Sequence, residues 1–131
     1  MACIFCEGIE KKQILLQIEN YKVVLDIDPI QSGHLLIISK QHFMDVREIS
    51  ESLILELFKL QKRIINIFEK HFLVDGVSVI QNNGTIMDEG THFHIHIVPR
   101  YKEDDFWTHQ KVNCHPILIP ELVKQLQNKR E

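Results

Sequence analysis

Three histidines alternate with apolar residues in the segment HFHIHIV, which spans positions 92 to 98. An alternation with a period of two is typical of a β-strand, so it predicts that His92, His94 and His96 share one face while the apolar residues face the core. Three interpretations follow: incidental surface histidines, a metal site, or chemistry on an anion. In the last of these, the imidazoles divide the roles of nucleophile, proton donor and oxyanion partner.

A single metal ion bound by all three histidines conflicts with strand geometry. Zinc binds imidazole nitrogen at about 2.1 Å, so its ligand nitrogens lie within roughly 4 Å of one another. On an extended strand the Cα atoms of His92 and His96 are about 13 Å apart, for a rise of ~3.3 Å per residue. Two neighbours can share an ion, but all three are not expected to do so. A metal site that uses two of the histidines and chemistry on an anion both stay open at this point.

Two of the three cysteines form a C-x-x-C pair, Cys3 and Cys6, while Cys114 stands alone. No secretory signal precedes them, so a disulfide framework is not expected. A redox pair is one alternative, but the strand before and the helix after that such a pair requires are missing. The other is a tetrahedral zinc site, in which the two thiolates are joined by two histidines from elsewhere in the chain.

Length and composition predict one folded domain of 131 residues. The formal charge of −3 excludes a protein that wraps nucleic acid, because such domains are usually basic. No apolar run approaches the ~18 residues of a membrane span. We therefore expect a cytoplasmic protein with neither a nucleic-acid nor a membrane partner.

Apolar periodicity predicts five strands and two helices. Ser50 is the expected N-cap of an amphipathic helix whose apolar positions run from Leu53 to Phe72. The strands are expected at 13–18, 21–27, 34–39, 77–81 and 91–99, and a short terminal helix at 121–129. Since one long helix interrupts the strands, the fold class is α+β with a mainly antiparallel sheet of about five strands.

The HFHIHIV segment resembles the signature of the histidine triad (HIT) superfamily, and shorter segments extend the resemblance over most of the chain. These segments are 26–29 (DIDP), 33–42 (GHLLIISKQH), 82–84 (NNG) and 99–100 (PR). The resemblance implies a single HIT domain over residues 1–131 and a homodimer in which the long helix and a strand pair across a two-fold axis. It also implies a nucleotide hydrolase or transferase that acts at the α-phosphorus of a nucleoside phosphoramidate or dinucleoside polyphosphate. The reaction passes through a nucleotidyl-histidine intermediate and releases a nucleoside monophosphate, with an AMP-like purine nucleotide as partner.

The resemblance also implies roles for individual residues. His94 matches the nucleophile, His96 the histidine that contacts phosphate oxygens and assists the leaving group, and His34 a further histidine near the phosphate. Asp26 matches the acid that binds the ribose. The remaining substrate-binding candidates are Asn82, Gln81, Phe5, Ile27 and Thr91.

Some HIT branches that open with C-x-F-C resemble this chain in a structural zinc site. The resemblance implies His42 and His92 as the partners of Cys3 and Cys6. With His92 assigned to zinc, His94 and His96 remain for phosphate.

The loop before the histidine segment departs from the family pattern. It reads TIMDEGT over positions 85 to 91 and lacks the glutamine that donates a hydrogen bond in most members. Ionised Asp88 and Glu89 cannot donate, although the Thr91 hydroxyl can. This departure leaves open a non-catalytic nucleotide-binding module. A zinc-stabilised interaction domain, in which the H-x-H-x-H pattern is accidental, is a separate alternative.

Overall fold

A computed structural model describes residues 3–128 and contains one five-stranded antiparallel sheet. The strands are β1 (Ile14–Gln17), β2 (Tyr21–Leu25), β3 (Leu35–Ser39), β4 (Gly76–Gln81) and β5 (His94–Arg100), in the order β1-β2-β3-β5-β4. The helices are α1 (Glu51–His71) and α2 (Ile119–Gln127). The predicted α+β class, the five strands and both helices are confirmed.

Helix α1 begins where the sequence predicts, because Ser50 Oγ accepts a hydrogen bond from the Leu53 N–H. Its apolar stripe packs on one face of the sheet. The buried residues of this main core are Tyr21, Val23, Ile37, Phe43, Ile49, Leu57, Leu60, Ile64, Phe93, Ile95 and Ile97. The alternating residues Phe93, Ile95 and Ile97 thus point toward α1, and the histidines between them belong to the opposite face.

The N-terminal segment 3–13 covers that opposite face. Phe5 is buried there against Val24, Leu36 and Ile38, which form a second apolar cluster. Lys22 Nζ donates to the Phe5 carbonyl at 2.8 Å and fixes the segment to β2. The sheet is therefore enclosed by α1 on one side and by the N-terminal segment on the other.

Strand β5 begins at His94, so the predicted strand over 91–99 is wrong at its first residues. The chain bends at Phe93, whose N–H donates to the Phe43 carbonyl at 2.7 Å instead of continuing a regular ladder. Because of this bend, His92 lies outside the strand. Of the three alternating histidines, only His94 and His96 follow one another along β5.

The C-terminal region beyond the sheet is exposed at every described position from Trp107 to Asn128. Helix α2 lies two residues earlier than predicted, and Lys129, its predicted last residue, is outside the described residues. Among the described helices, none is both long and apolar enough to cross a membrane.

Candidate active site and metal centre

A cleft of about 320 Å³ lies on the histidine face of the sheet. His94 and His96 line its floor, opposite Ile38 and Leu36 of β3 respectively. Its walls come from three parts of the chain: the N-terminal segment (Ile4, Phe5, Gly8, Ile9, Gln13), the β2–β3 connection (Asp26, Ile27, Asp28) and the loop before β5 (Asp88, Thr91). The fold thus brings three connections, distant in sequence, around two adjacent imidazoles.

A backbone hydrogen bond fixes the position of one ring proton of His94. Its Nδ1 lies 2.8 Å from the His92 carbonyl oxygen, which can only accept a hydrogen bond, so Nδ1 carries the proton. In the neutral ring, Nε2 then retains its lone pair. The ring is 6% exposed and packs against the edge of Phe5, with ring centroids 4.8 Å apart. In the neutral ring, Nε2 is therefore the nitrogen that remains available to a bound group.

His34 and His96 form a hydrogen-bonded relay, and this relay gives His96 the tautomer opposite to that of His94. The Ile30 N–H donates to His34 Nδ1 at 3.1 Å, so the His34 proton resides on Nε2. His34 Nε2 in turn lies 2.9 Å from His96 Nδ1 and donates to it. The proton of neutral His96 is therefore on Nε2. The two cleft histidines differ in consequence: His94 offers a lone pair and His96 an N–H donor, with ring centroids 5.0 Å apart.

Burial keeps this relay neutral. It lowers the pKa of His96 to about 4, and the charges of His94 and His34 add to that effect. Burial also lowers the pKa of His34, which is 2% exposed, against the opposing pull of Asp26. Asp26 Oδ2 lies 3.4 Å from His34 Nε2 and 3.7 Å from His96 Nδ1. The carboxylate thus stands beside the relay without replacing either hydrogen bond.

The predicted substrate-binding residues separate into two groups. Phe5, Ile27 and Thr91 line the cleft, although the Thr91 hydroxyl donates to the Asp88 carbonyl at 2.6 Å. Gln81 pairs with the core residue Ile95, so it lies on the α1 side of the sheet, and its Oε1 accepts from Asn83 Nδ2. Asn82 follows one residue later and does not line the cleft.

The predicted zinc ligands Cys3, Cys6, His42 and His92 converge, with one donor atom from each residue within 4.8 Å of the others. Cys3 Sγ lies 3.2 Å from His92 Nδ1, and Cys6 Sγ lies 3.2 Å from His42 Nδ1. The other nitrogen of His92 donates to the Ser39 carbonyl at 2.6 Å, which leaves Nδ1 free to ligate. Two thiols and two imidazoles at these distances match the donor set and the size of a tetrahedral zinc site.

A second group of donor atoms lies within the same 4.8 Å span: Asp26, His34 and His96. A neutral histidine that ligates through one nitrogen carries its proton on the other. His92 meets this condition, because its second nitrogen faces a carbonyl. His34 does not, because its Nδ1 accepts from the Ile30 N–H, which keeps the proton on Nε2. The bonding of the second nitrogen thus distinguishes a metal ligand from a proton relay.

The group of predicted zinc ligands and the cleft share the N-terminal segment. Phe5 lies between Cys3 and Cys6 in sequence, and its ring contacts both His92 and His94. His92 contributes a side-chain nitrogen to the cluster and its carbonyl to the tautomer of His94. Sequence reasoning missed two contributions to the site, the Ile30 N–H and the apolar wall at Ile9. The Asp-Pro turn that precedes Ile30 is the one signal that hints at the first.

The family model of the HIT domain matches residues 7–103 of this chain. A curated relative, the adenosine 5′-monophosphoramidase of Saccharomyces cerevisiae, is 35% identical over 107 residues, which cover 78% of this chain and 65% of that protein.

Two solved structures are similar over most of their length. A HIT-family protein from Bacillus subtilis has a TM-score of 0.75 and 26% identity, covering 98% of this chain and 97% of that one. A zinc-bound histidine triad family protein from Mycobacterium smegmatis has a TM-score of 0.67 and 29% identity, covering 78% and 77%. With a matching family model across most of the chain and the histidine pair in place, the protein belongs to the HIT family.

Proposed function

We propose that the protein is a nucleotide hydrolase or transferase that acts at the α-phosphorus of a purine nucleoside phosphoramidate or dinucleoside polyphosphate. The observation that carries the proposal is the pair of opposite tautomers, since the bond from His94 Nδ1 to the His92 carbonyl leaves Nε2 as a lone pair beside the N–H of His96. A relative with adenosine monophosphoramidase activity supports the same reaction class.

The reaction proceeds in two displacements. The His94 Nε2 lone pair forms a bond to phosphorus, and the bond from phosphorus to the leaving nitrogen breaks. That nitrogen has taken a proton from solvent, so it departs as a neutral amine with the bonding pair. His96 Nε2–H donates to the phosphoryl oxygens, where negative charge increases. Water then attacks phosphorus and loses a proton to solvent, His94 leaves with its electron pair, and a nucleoside monophosphate is released.

The nucleoside occupies the end of the cleft formed by the β2–β3 connection. Two carboxylate oxygens at Asp26 suit a ribose diol, and Phe5 and Ile27 supply apolar contacts for the base. Asn82 keeps its proposed role at the phosphate. Asn82 directly follows Gln81, the last residue of β4, whose partner Ile95 is adjacent to His94 in sequence. We also keep Gln81 as a substrate-binding candidate, to be tested by substitution.

The test is turnover of adenosine 5′-phosphoramidate by wild type and by His94→Ala. His71→Ala is the matched control, because His71 is exposed at the end of α1 and away from the cleft. We expect loss of AMP release in the first variant and wild-type turnover in the second, with both folded by circular dichroism. Near-wild-type turnover by His94→Ala would refute the proposed mechanism.

A non-catalytic nucleotide-binding module is the second candidate. It is favoured by the loop before β5, where the Thr91 hydroxyl is engaged with the Asp88 carbonyl and is not free to support a leaving group. Calorimetry with AMP separates the two candidates when combined with the turnover assay. Tight AMP binding by a protein that releases no AMP from the phosphoramidate favours the module.

We further propose that Cys3, Cys6, His42 and His92 hold a structural zinc ion. Desolvation and the neighbouring Cys3 thiol raise the pKa of the Cys6 thiol, and a bound cation would favour its thiolate form. When bound, zinc supplies a cross-link between the N-terminal segment and the turn before β5. We also infer a cytoplasmic location, where thiols stay reduced. Protein that is purified metal-free, or with Cys3 and Cys6 joined by a disulfide, would contradict this part of the proposal.

A homodimer completes the proposal. Strand β4 is an edge of the sheet within residues 3–128, and Val79 on it is 42% exposed. On α1, Leu55 and Phe58 are each 56% exposed. Sedimentation of wild type and Phe58→Glu tests the dimer, with Ile86→Glu as the control at an exposed apolar residue outside α1 and β4. A monomeric wild type contradicts it.

A further inference from the structure

The two ends of the cleft are separated along strand β5. Leu25 pairs with Leu35, which pairs with Ile97, so Asp26 and the β2–β3 connection lie near the C-terminal end of β5. The loop that carries Asp88 instead leads into the N-terminal end of β5. His94 and His96 lie between these ends. If the nucleoside occupies the Asp26 end, as proposed above, the group that leaves phosphorus extends toward Asp88.

The loop at the Asp88 end is held by hydrogen bonds to its main-chain carbonyls. The Thr91 hydroxyl donates to the Asp88 carbonyl at 2.6 Å, and the Ile4 N–H donates to the Gly90 carbonyl at 2.6 Å. These bonds use main-chain atoms of the loop and leave the Asp88 carboxylate without a hydrogen bond among residues 3–128. The negative charge of Asp88 also acts on His96, whose pKa it raises against the effect of burial. Among residues 3–128, the exposed Asp88 carboxylate is therefore unengaged, its backbone is held in place, and it lies within electrostatic range of His96.

The charges around the cleft are unusual for a site that binds phosphate. Its wall carries three carboxylates, those of Asp26, Asp28 and Asp88, and none of its described lining residues is Lys or Arg. Asp26 stands beside the histidine relay, and its Oδ1 accepts from the Asp28 N–H. Asp88 alone lies at the leaving-group end. A polyphosphate leaving group would bring further negative charge against it, whereas an ammonium group would be attracted.

We propose that Asp88 is a specificity-determining residue that selects leaving groups by charge. The favoured substrates are nucleoside phosphoramidates whose leaving amine carries a second, positively charged group, and the disfavoured ones are substrates with an anionic leaving group. This inference rests on the proposed function and deepens it, since it separates the phosphoramidate class from the dinucleoside polyphosphate class.

The test compares three adenosine 5′-phosphoramidates whose leaving amines have alkyl chains of equal length. The chains end in an ammonium, a hydroxyl or a carboxylate group. The kcat/KM of each is measured for wild type, for Asp88→Asn and for Glu89→Gln, with melting curves to establish folding. Glu89 is the matched control, because it is the adjacent acid and is exposed, but does not line the histidine cleft.

Wild type is expected to prefer the ammonium substrate over the carboxylate one by about tenfold, because a partly exposed ion pair and its like-charge counterpart each change the rate by a few-fold. Asp88→Asn should reduce this ratio to about twofold, and Glu89→Gln should leave it unchanged. A ratio near one in wild type, or one that Asp88→Asn does not reduce, overturns this inference while turnover of the hydroxyl substrate still supports the proposed function. Failure to turn over any of the three overturns the proposed function, and this inference with it.

Discussion

Replacing His34 by Asn or by Gln separates the two halves of the histidine relay. The Asn side-chain oxygen occupies the position of His34 Nδ1 and can accept from the Ile30 N–H, but it offers nothing to His96. The Gln amide nitrogen occupies the position of Nε2 and can still donate to His96 Nδ1. Both variants lose the imidazole ring from a site that is 2% exposed. We therefore expect both to lose stability by a similar amount, about 1–3 kcal/mol.

The two variants should differ in turnover. Without a donor at His34 Nε2, the Asp26 carboxylate, 3.7 Å from His96 Nδ1, attracts the His96 proton to that nitrogen. His96 Nε2 then loses the N–H that it presents to phosphate. A hydrogen bond to a charged group contributes about 1.5–3 kcal/mol, and each 1.36 kcal/mol corresponds to roughly a factor of ten in rate. His34→Asn should therefore lower kcat/KM about 10- to 100-fold more than His34→Gln does.

The assay is release of AMP from adenosine 5′-phosphoramidate by each folded variant. Nitrogen-15 chemical shifts of His96 report the tautomer directly and do not depend on activity. We expect the Nε2–H tautomer in wild type and His34→Gln, and the Nδ1–H tautomer in His34→Asn. Equal kcat/KM in the two variants, or the same His96 tautomer in all three proteins, would refute the relay.

Three further predictions concern stability. The pKa of His96 is about 4 in the folded chain and 6.5 ordinarily, so the unfolded chain binds this proton first as the pH falls. Through His96, the free energy of unfolding should therefore be unaffected above pH ~6.5 and should fall by up to about 3 kcal/mol between pH ~6.5 and ~4. Urea unfolding at pH 7.5 and 5.0 measures this loss, which should shrink in His96→Asn. Cys6→Ser should lower the melting temperature and make it insensitive to chelators, whereas Cys114→Ser, at an exposed free thiol, should do neither. Ile95→Ala, at a fully buried core position, should lower the free energy of unfolding by about 2–5 kcal/mol. The control Ile86→Ala, at an exposed position, should lower it by less than ~0.5 kcal/mol. Equal urea midpoints for the two variants would contradict the assignment of the core.

The strand that carries His94 and His96 could be predicted from its sequence, because side chains alternate along any strand and apolar residues occupy every second position. The deviation at His92 could not, because the bend at Phe93 depends on a hydrogen bond to Phe43, a residue 50 positions away. The strand register that places Gln81 on the α1 side of the sheet also depends on tertiary contacts, which the local sequence does not specify. Residue types alone do not determine which strand lies beside another or where pairing begins.

The full set of predicted zinc ligands required the resemblance, since C-x-x-C indicates two ligands and leaves the other two open. Neither the residue pattern nor the resemblance to the family predicts which backbone groups fix the histidine tautomers. They depend on backbone groups, the His92 carbonyl and the Ile30 N–H, that every sequence contains. What makes these groups decisive is their position, which only the folded chain provides.

In the proposed mechanism, His94 attacks phosphorus and forms a covalent intermediate. Wild-type protein mixed with adenosine 5′-phosphoramidate, quenched within the first turnover and digested under conditions that preserve phosphorus–nitrogen bonds, can be mapped by mass spectrometry. We predict one adenylyl group on the peptide that contains His94, and its absence in His94→Ala. An AMP burst with no adenylylated peptide, or adenylylation of a different residue, would contradict the account.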